Sequence, residues 1–357
     1  MRRRSVARNI SFAQAVNEAL HEAMAADRGV ICYGLGVDDP KTIFGTTKGL
    51  QERFGAARVF DTPTAENAMT GIGVGASLNG IRPVMVHQRL DFFLLAMDQL
   101  VNNAAKWRFM FGGQRSVPIT IRLILGRGWG QGPTHSQSLH AWFAHVPGLK
   151  VVMPTTPEDA KGLLLSSIFD DNPVLFFEHR WLHNMEGDVP IGDCRAPLGV
   201  ARRMRQGGDL TIVAMSYMVI EALHAVDYLA EHGVRCDLID PRTVSPLDWN
   251  AVFESVSRTG HLLVLDTGAA TGSVAGEIVA RVAMECWSSL KRAPRRIAMP
   301  DFPEPTSFAL TRGLHPRAET ILAAVNEMLG TDIPGGALAA QRKHPHDVPG
   351  DWFKGPF

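Results

Sequence analysis

The sequence predicts an α/β protein of two domains, the first a mostly parallel, doubly wound sheet and the second a smaller α/β unit. Three observations carry this. Short apolar runs alternate with segments of helical periodicity up to Glu178, a polar stretch with glycines and prolines interrupts the alternation at 184–198, and a second, shorter alternating series follows. With 357 residues, 45% of them apolar and 20% charged, the chain can bury two cores, and disorder is excluded.

In order along the chain, Ala13, Val16, Leu20 and Met24 recur at helical spacing over 11–26, and 29–34 reads as a buried strand. Val59-Phe60 leads into a Thr-Pro turn, 65–78 reads as a helix and 82–87 as a strand. Residues 92–109 read as one long helix. Strands follow at 118–125, 149–153 and 174–178, with a helix over 157–168. The second series has strands at 210–214, 236–239 and 262–265 and helices at 220–232 and 273–286. After Leu329 the composition turns to glycine, proline, histidine and charge. The expected organisation is therefore a first domain over 1–190, a second over 198–330, and an extended tail over 331–357 whose aromatics dock on something.

Composition narrows the function. Thirty-six basic and thirty-six acidic residues cancel, so no overall field points to nucleic acid or to a membrane surface. Cys32, Cys194, Cys236 and Cys286 are far apart, without a Cys-x-x-Cys, and read as reduced thiols of a cytoplasmic protein rather than as zinc ligands. No apolar run approaches the roughly 20 residues that span a bilayer. Arg2-Arg3-Arg4 precedes no long apolar stretch and does not read as a secretory signal.

Several residues are placed for chemistry, each with a plainer reading beside it. Glu66, in Asp61-Thr-Pro-Thr-Ala-Glu66, opens a helix after a strand, where an acid also complements the helix dipole. Gly71, Gly73 and Gly75 weaken the dipole reading, because glycines make a poor helix and point to close approach of another backbone or a ligand. His135 ends the loop Gly126-Arg-Gly-Trp-Gly-Gln-Gly132-Pro-Thr-His135; capping of the next helix, shared with Ser136 or Ser138, is the alternative. The loop matches neither a phosphate loop nor a dinucleotide fingerprint. His140 and His145 find no third partner for a metal. His87-Gln88-Arg89 is polar at a strand end, as exposure or a pocket would require, and Phe92 opens the next helix.

Taken together, Asp61-Thr-Pro-Thr-Ala-Glu66, Asp91-Phe92, Ala96-Met-Asp98-Gln99, Asn103-Ala-Ala-Lys106, His135-Ser-Gln137, Pro147-Gly-Leu-Lys-Val-Val152-Met-Pro154 and Asp171-Asn-Pro173 resemble one family. Ile239-Asp-Pro-Arg242-Thr-Val-Ser-Pro246 and Gly272-Ser-Val-Ala-Gly276-Glu277 extend the likeness into the second domain. The family is the beta subunit of the thiamine-diphosphate-dependent, decarboxylating component of 2-oxo acid dehydrogenases (pyruvate and branched-chain type), within the transketolase-like superfamily. The resemblance implies a pyrimidine-binding domain followed by a transketolase C-terminal-type domain. It implies that Glu66 hydrogen-bonds a ring nitrogen of the cofactor's aminopyrimidine, that Phe92 packs on that ring and Gln88 lies in the same pocket, and that His135 stands near the reacting carbon. It also implies a potassium site drawn from Ile119, Ser167, Asp170 and Asn172.

The family's Gly-Asp-Gly motif for diphosphate and magnesium is absent from the sequence. The resemblance therefore implies an alpha-type partner chain that supplies both, in an α2β2 assembly, with a lipoyl acyltransferase as a further partner. Two departures bear on substrate. Gly34-Leu35-Gly36 stands where the family has Gly-Glu-Glu, and Val86-His87-Gln88, followed by Arg89, stands where the family's strand end usually reads Glu-Phe-Met; the added polar and basic groups suit a phosphorylated or acidic substrate better than pyruvate. The leading expectation is decarboxylation of a 2-oxo acid with transfer of the acyl or aldehyde unit to lipoamide. A split transketolase or acyloin synthase is the alternative, and a non-catalytic scaffold subunit the second.

Overall fold

The computed structural model describes residues 7–39, 41–126 and 130–355. Arg2-Arg3-Arg4, residues 127–129 of the glycine-rich loop and Phe357 lie outside the described residues. The chain divides into two compact units, with the main boundary between Leu198 and Gly199; of the described residues, 130–133 group with the second unit and 352–355 with the first.

In the first unit, β1 (Ala7–Ser11) leads into α1 (Phe12–Ala26), whose start is fixed by a reciprocal Ser11–Gln14 capping box. β2 (Val30–Gly34), α2 (Leu50–Phe54), β3 (Val59–Asp61), α3 (Glu66–Leu78) and β4 (Arg82–His87) follow. Then come α4 (Leu90–Phe93), α5 (Ala105–Met110), β5 (Thr120–Leu125), α6 (His140–Ala144), β6 (Lys150–Val152), α7 (Pro157–Ile168), β7 (Val174–His179) and β8 (Glu186–Pro190). Six of these strands run in the order β6-β7-β5-β4-β2-β3, every neighbouring pair parallel. β5 and β7 are buried along their whole length, which is why they read as unbroken apolar runs. α1 packs on α7, where fully buried Lys161 reaches Glu22 at 2.8 Å.

The helix expected over 92–109 is not continuous. α4 passes through a 3-10 turn at Leu94–Ala96 and a π turn at Gln99–Ala104 before α5. The buried residues there are Leu90, Phe93, Ala96, Leu100 and Ala104, a spacing of three, three, four and four, and the backbone tightens and then widens to keep them inward. The stretch expected as a plain boundary at 184–198 contains β8, which pairs antiparallel with β1. Both strands are largely exposed, so neither shows apolar alternation.

The second unit holds β9 (Arg202–Arg205), β10 (Leu210–Ala214), α8 (Met218–Glu231), β11 (Cys236–Asp240), β12 (Thr243–Ser245), α9 (Trp249–Thr259), β13 (Leu262–Ala269), α10 (Val274–Glu285), β14 (Arg295–Met299), α11 (Ala318–Leu329) and α12 (Gly336–Ala340). Its sheet has the order β14-β13-β10-β11-β9, parallel except for the edge strand β9. β9 and β14 are arginine-rich edge strands and carry no sequence signal of their own. The extended tail expected after Leu329 is corrected in part. α12 forms there, and Leu338 is buried in the core with Leu322, Val325 and Leu229. Tyr228 donates to the Pro334 carbonyl at 2.7 Å and Arg342 to the buried Glu221 carboxylate at 2.9 Å, both within this unit. Among the described residues, no helix is long and apolar enough to cross a membrane.

Candidate active site

The carboxyl ends of the first unit's parallel strands carry the site, as sheets of this type place it. β2 ends in a loop that Asp61, at the end of β3, holds by accepting from the Gly36 and Val37 amides at 2.9 and 2.5 Å. Three residues after Pro63 of the Thr-Pro turn comes Glu66, the first residue of α3. Glu66 is only 7% exposed, and no described residue donates a hydrogen bond to its carboxylate. A nearly buried carboxylate left open in this way fits a group that brings its own donor. The glycines of α3 have a simpler cause than a ligand. A Cβ at Gly73 would meet Tyr33 Oη at 2.3 Å, and one at Gly71 the Gln99 side chain at 3.3 Å, whereas Gly75 faces open space.

Across the site, Phe92 and His135 meet edge to face, with centroids 5.2 Å apart and planes at 83°. Phe92 is 43% exposed, a large aromatic ring with an uncovered surface. Asp91 closes this pair from behind: its Oδ1 accepts from Gln137 Nε2 at 2.8 Å and from the Gln137 amide at 3.3 Å, which ties the His135 loop to α4. Asp91 and Gln137 stand in the sequence motifs, but their pairing across 46 residues had no sequence signal. Thr134 Oγ1 lies 3.1 Å from His135 Nδ1. His135 does not cap the next helix; α6 starts five residues later from an N-cap, Leu139, that makes no side-chain bond.

Gln88 is exposed beyond β4, and its amide fills the space that a Cβ at Gly36 would take, which explains a glycine at φ 78°. The two neighbours of Gln88 behave differently from a polar pocket lining. His87 is 1% exposed and packs edge-on against Phe93 at 5.0 Å, with both ring nitrogens unbonded among the described residues, and burial pushes its pKa down to about 4. Arg89 is also buried and donates to the Gly126 carbonyl at 2.9 Å, joining the end of β4 to the start of the glycine-rich loop.

The potassium set is brought together but is already served by protein donors. Asp170 Oδ1 accepts from the Asn172 amide and side chain, Oδ2 from the Lys150 ammonium, and the Asp170 carbonyl from Arg82 at 3.0 Å. The Ile119 carbonyl accepts from the Val174 amide at 3.0 Å, and Ser167 Oγ donates to the Leu163 carbonyl at 2.7 Å. Two protein cations sit where the ion was expected, so the residues do not present the open oxygen cage a potassium ion needs. His140 is buried on α6 while His145 is exposed, and no group of three metal-ligating side chains exists among the described residues.

Known proteins resemble this chain over most of its length. Residues 8–185 match the transketolase pyrimidine binding domain and 199–321 the transketolase C-terminal domain. The chain is 40% identical over 334 residues to the beta subunit of acetoin:2,6-dichlorophenolindophenol oxidoreductase from Cupriavidus necator, covering 91% of this chain and 98% of that one. It is 40% identical to the 2-oxoisovalerate dehydrogenase beta subunit of Bacillus subtilis, covering 82% and 90%. It is 37% identical to the mitochondrial pyruvate dehydrogenase E1 component subunit beta-1 of Oryza sativa, covering 94% and 91%. Among solved structures, a split gene transketolase described as an inactive beta4 tetramer superposes with a TM-score of 0.71 at 19% identity, covering 91% of this chain and 99% of that one.

Proposed function

Because the chain belongs to the transketolase-type family of beta subunits of thiamine-diphosphate-dependent 2-oxo acid dehydrogenases, we propose that it forms the pyrimidine half of such an enzyme's active site and that Glu66, Gln88, Phe92 and His135 do its work there. The observation that carries this is the open, nearly buried carboxylate of Glu66 on the same rim as the Phe92–His135 pair. Thiamine diphosphate, when bound, would supply a carbon nucleophile and an electron sink for the decarboxylation. Glu66 would hydrogen-bond a ring nitrogen of the bound pyrimidine, and its carboxylate carries no competing donor from the described residues of its own chain. Phe92 offers its uncovered surface to that ring, and Gln88 orients it. His135 delivers or removes a proton at the substrate oxygen, held in reach by the Asp91–Gln137 clasp.

With no Gly-Asp-Gly in the chain, diphosphate and magnesium fall to an alpha-type partner in an α2β2 assembly, and a lipoyl acyltransferase takes the acyl group. Free thiols at all four cysteines suit the cytoplasm. The acetoin relative favours a second reading, cleavage or formation of an acyloin by the same four residues.

The test is an acid-quench assay of thiamine adducts, run on the chain assembled with its alpha-type partner, thiamine diphosphate and magnesium. The panel holds 2-oxo acids, acetoin and ketose phosphates. Adducts from 2-oxo acids that vanish in Glu66→Gln are expected. Adducts from acetoin or ketose phosphates alone would move the enzyme to the second reading or to a split transketolase, and unchanged activity in assembled Glu66→Gln would make this a scaffold subunit.

A further inference from the structure

The last described residues, 352–355, group with the first unit and are bonded to it. Trp352 Nε1 donates to the Trp181 carbonyl at 2.7 Å, and the Gly355 carbonyl accepts from Arg180 Nη2 at 2.9 Å. Arg180 and Trp181 directly follow β7, and Arg180 is buried. Its guanidinium also meets two aromatic rings, Phe353 of the same segment at 5.6 Å and Phe44 at 4.1 Å. One planar cation thus joins the end of the chain to a turn near its beginning.

That turn is strained. Thr42, Ile43 and Phe44 have φ of 46°, 49° and 59° in succession, a left-handed region that residues with a Cβ avoid and β-branched ones most of all. Such a conformation persists where its surroundings over-determine it. At the far end of the turn, Asn17 Nδ2 donates to the Thr46 and Lys48 carbonyls at 3.1 and 2.9 Å. At the near end, Phe44 rests on Arg180 and on the His183 ring, 5.5 Å away. Between them Ile43 is only 4% exposed, and a Cβ at Gly36 would meet its Cδ1 at 3.4 Å and Gln88 Nε2 at 2.2 Å. Ile43 and Gln88 therefore flank the same glycine, and the left-handed turn is what brings Ile43 there.

We infer that residues 352–355 form a strap: through Arg180 they hold Phe44, and with it the left-handed turn, so that Ile43 backs Gln88 in the pyrimidine pocket. Trp352, Arg180 and Phe44 are positioning residues, acting through Ile43 and Gln88. The inference rests on the proposed function for the task of Gln88, whereas the strap rests on contacts within the first unit.

The experiment compares the wild type with a chain lacking residues 352–357 and with Trp352→Phe, which removes only the Nε1 donor and keeps the fold; Phe92→Ala serves as the reference for a weakened pocket. Lys41 and Lys48 border the turn and are exposed, so trypsin cleavage after them, followed by mass spectrometry on the chain alone, reads opening of the turn without any cofactor. Titration of the enzyme assembled with its alpha-type partner and magnesium gives the dissociation constant of thiamine diphosphate, and kcat is taken at saturating cofactor. The deletion is expected to speed cleavage at the two lysines about tenfold and Trp352→Phe about threefold, to weaken thiamine diphosphate by similar factors, and to leave kcat within twofold. Unchanged cleavage in the deletion overturns the inference. Faster cleavage along the whole chain together with a lower kcat makes the segment a general stabiliser and also overturns it. Faster cleavage at the turn with unchanged cofactor affinity overturns it where Phe92→Ala does weaken the cofactor, because turn and pocket are then uncoupled. If Phe92→Ala and the deletion both leave cofactor affinity unchanged while the turn opens, the strap stands and the proposed function is what fails.

Discussion

Asp91 shows how much of the site is made by residues that touch no substrate. Its carboxylate draws Gln137, and hence the His135 loop, against α4. Asp91→Ala should leave the fold intact and lower turnover about a hundredfold, since misplacing a catalytic group by an ångström costs on that order; single-turnover rates on the assembled enzyme check this, and rates within twofold of wild type would remove Asp91 from the site. Glu66, Phe92 and His135 were legible in the sequence because each stands in a short motif at a loop next to a strand. His87 and Arg89 were legible only as polar residues at a strand end. Which way each faces was decided by packing: His87 turned onto Phe93, and Arg89 onto the Gly126 carbonyl. Arg180 had no signal at all, because its contacts with Phe44 and the Gly355 carbonyl exist only once the chain around it is folded.

At the scale of the element, α3 joins a functional first residue to a helix that its glycines weaken. The two inner glycines answer to different forces, and a pair of substitutions separates them. Gly73→Ala drives a methyl into Tyr33 Oη and Ile119 Cδ1, at 2.3 and 2.8 Å, and should destabilise the chain by about 1–3 kcal/mol through overpacking. Gly75→Ala meets nothing within 4 Å and should stabilise it by about 0.5–1 kcal/mol through helix propensity and chain entropy. Urea denaturation of the unassembled chain reads both, and a loss in Gly75→Ala equal to that in Gly73→Ala would refute this account. α4 to α5 teaches the complementary lesson. Apolar spacing located the buried face from Leu90 to Ala104, but it could not distinguish one helix from three kinds of turn that keep the same face inward.

Over the whole molecule, stability should depend on pH through buried groups of the first unit and on the chain after Leu329 through the second. The His87 ring takes up a proton in the unfolded chain near the ordinary 6.5 but only near 4 when folded, so its contribution is complete above pH 6.5 and is lost as pH falls from 6.5 to 4, by about 3 kcal/mol in all. Burial alone would raise Glu178, but Arg122 and the His183 bond hold it down at about 2 against an ordinary 4.5; its contribution is present above 4.5 and is lost as pH falls toward 2. Urea midpoints followed against pH should therefore decline in two stages, and His87→Leu should flatten the upper one while sparing the lower. Deleting residues 332–357 empties the seat of Leu338 and leaves buried Glu221 without Arg342; a loss of about 2–4 kcal/mol for the apolar seat alone is expected, read as a lower melting temperature, and an unchanged value would show α12 to be passive. By itself the sequence determined the α/β alternation, the break near Leu198 and the two domain types, and it picked out the candidate residues of the proposed pyrimidine pocket, because periodicity and short motifs are local and survive in one dimension. Only the tertiary structure decided the pairing of β1 with β8, the Asp91–Gln137 clasp, the protein cations at Asp170 and the bridge that Arg180 makes from Phe44 to the Gly355 carbonyl. Each of these brings together partners from distant parts of the chain, and no local pattern records which partners will meet.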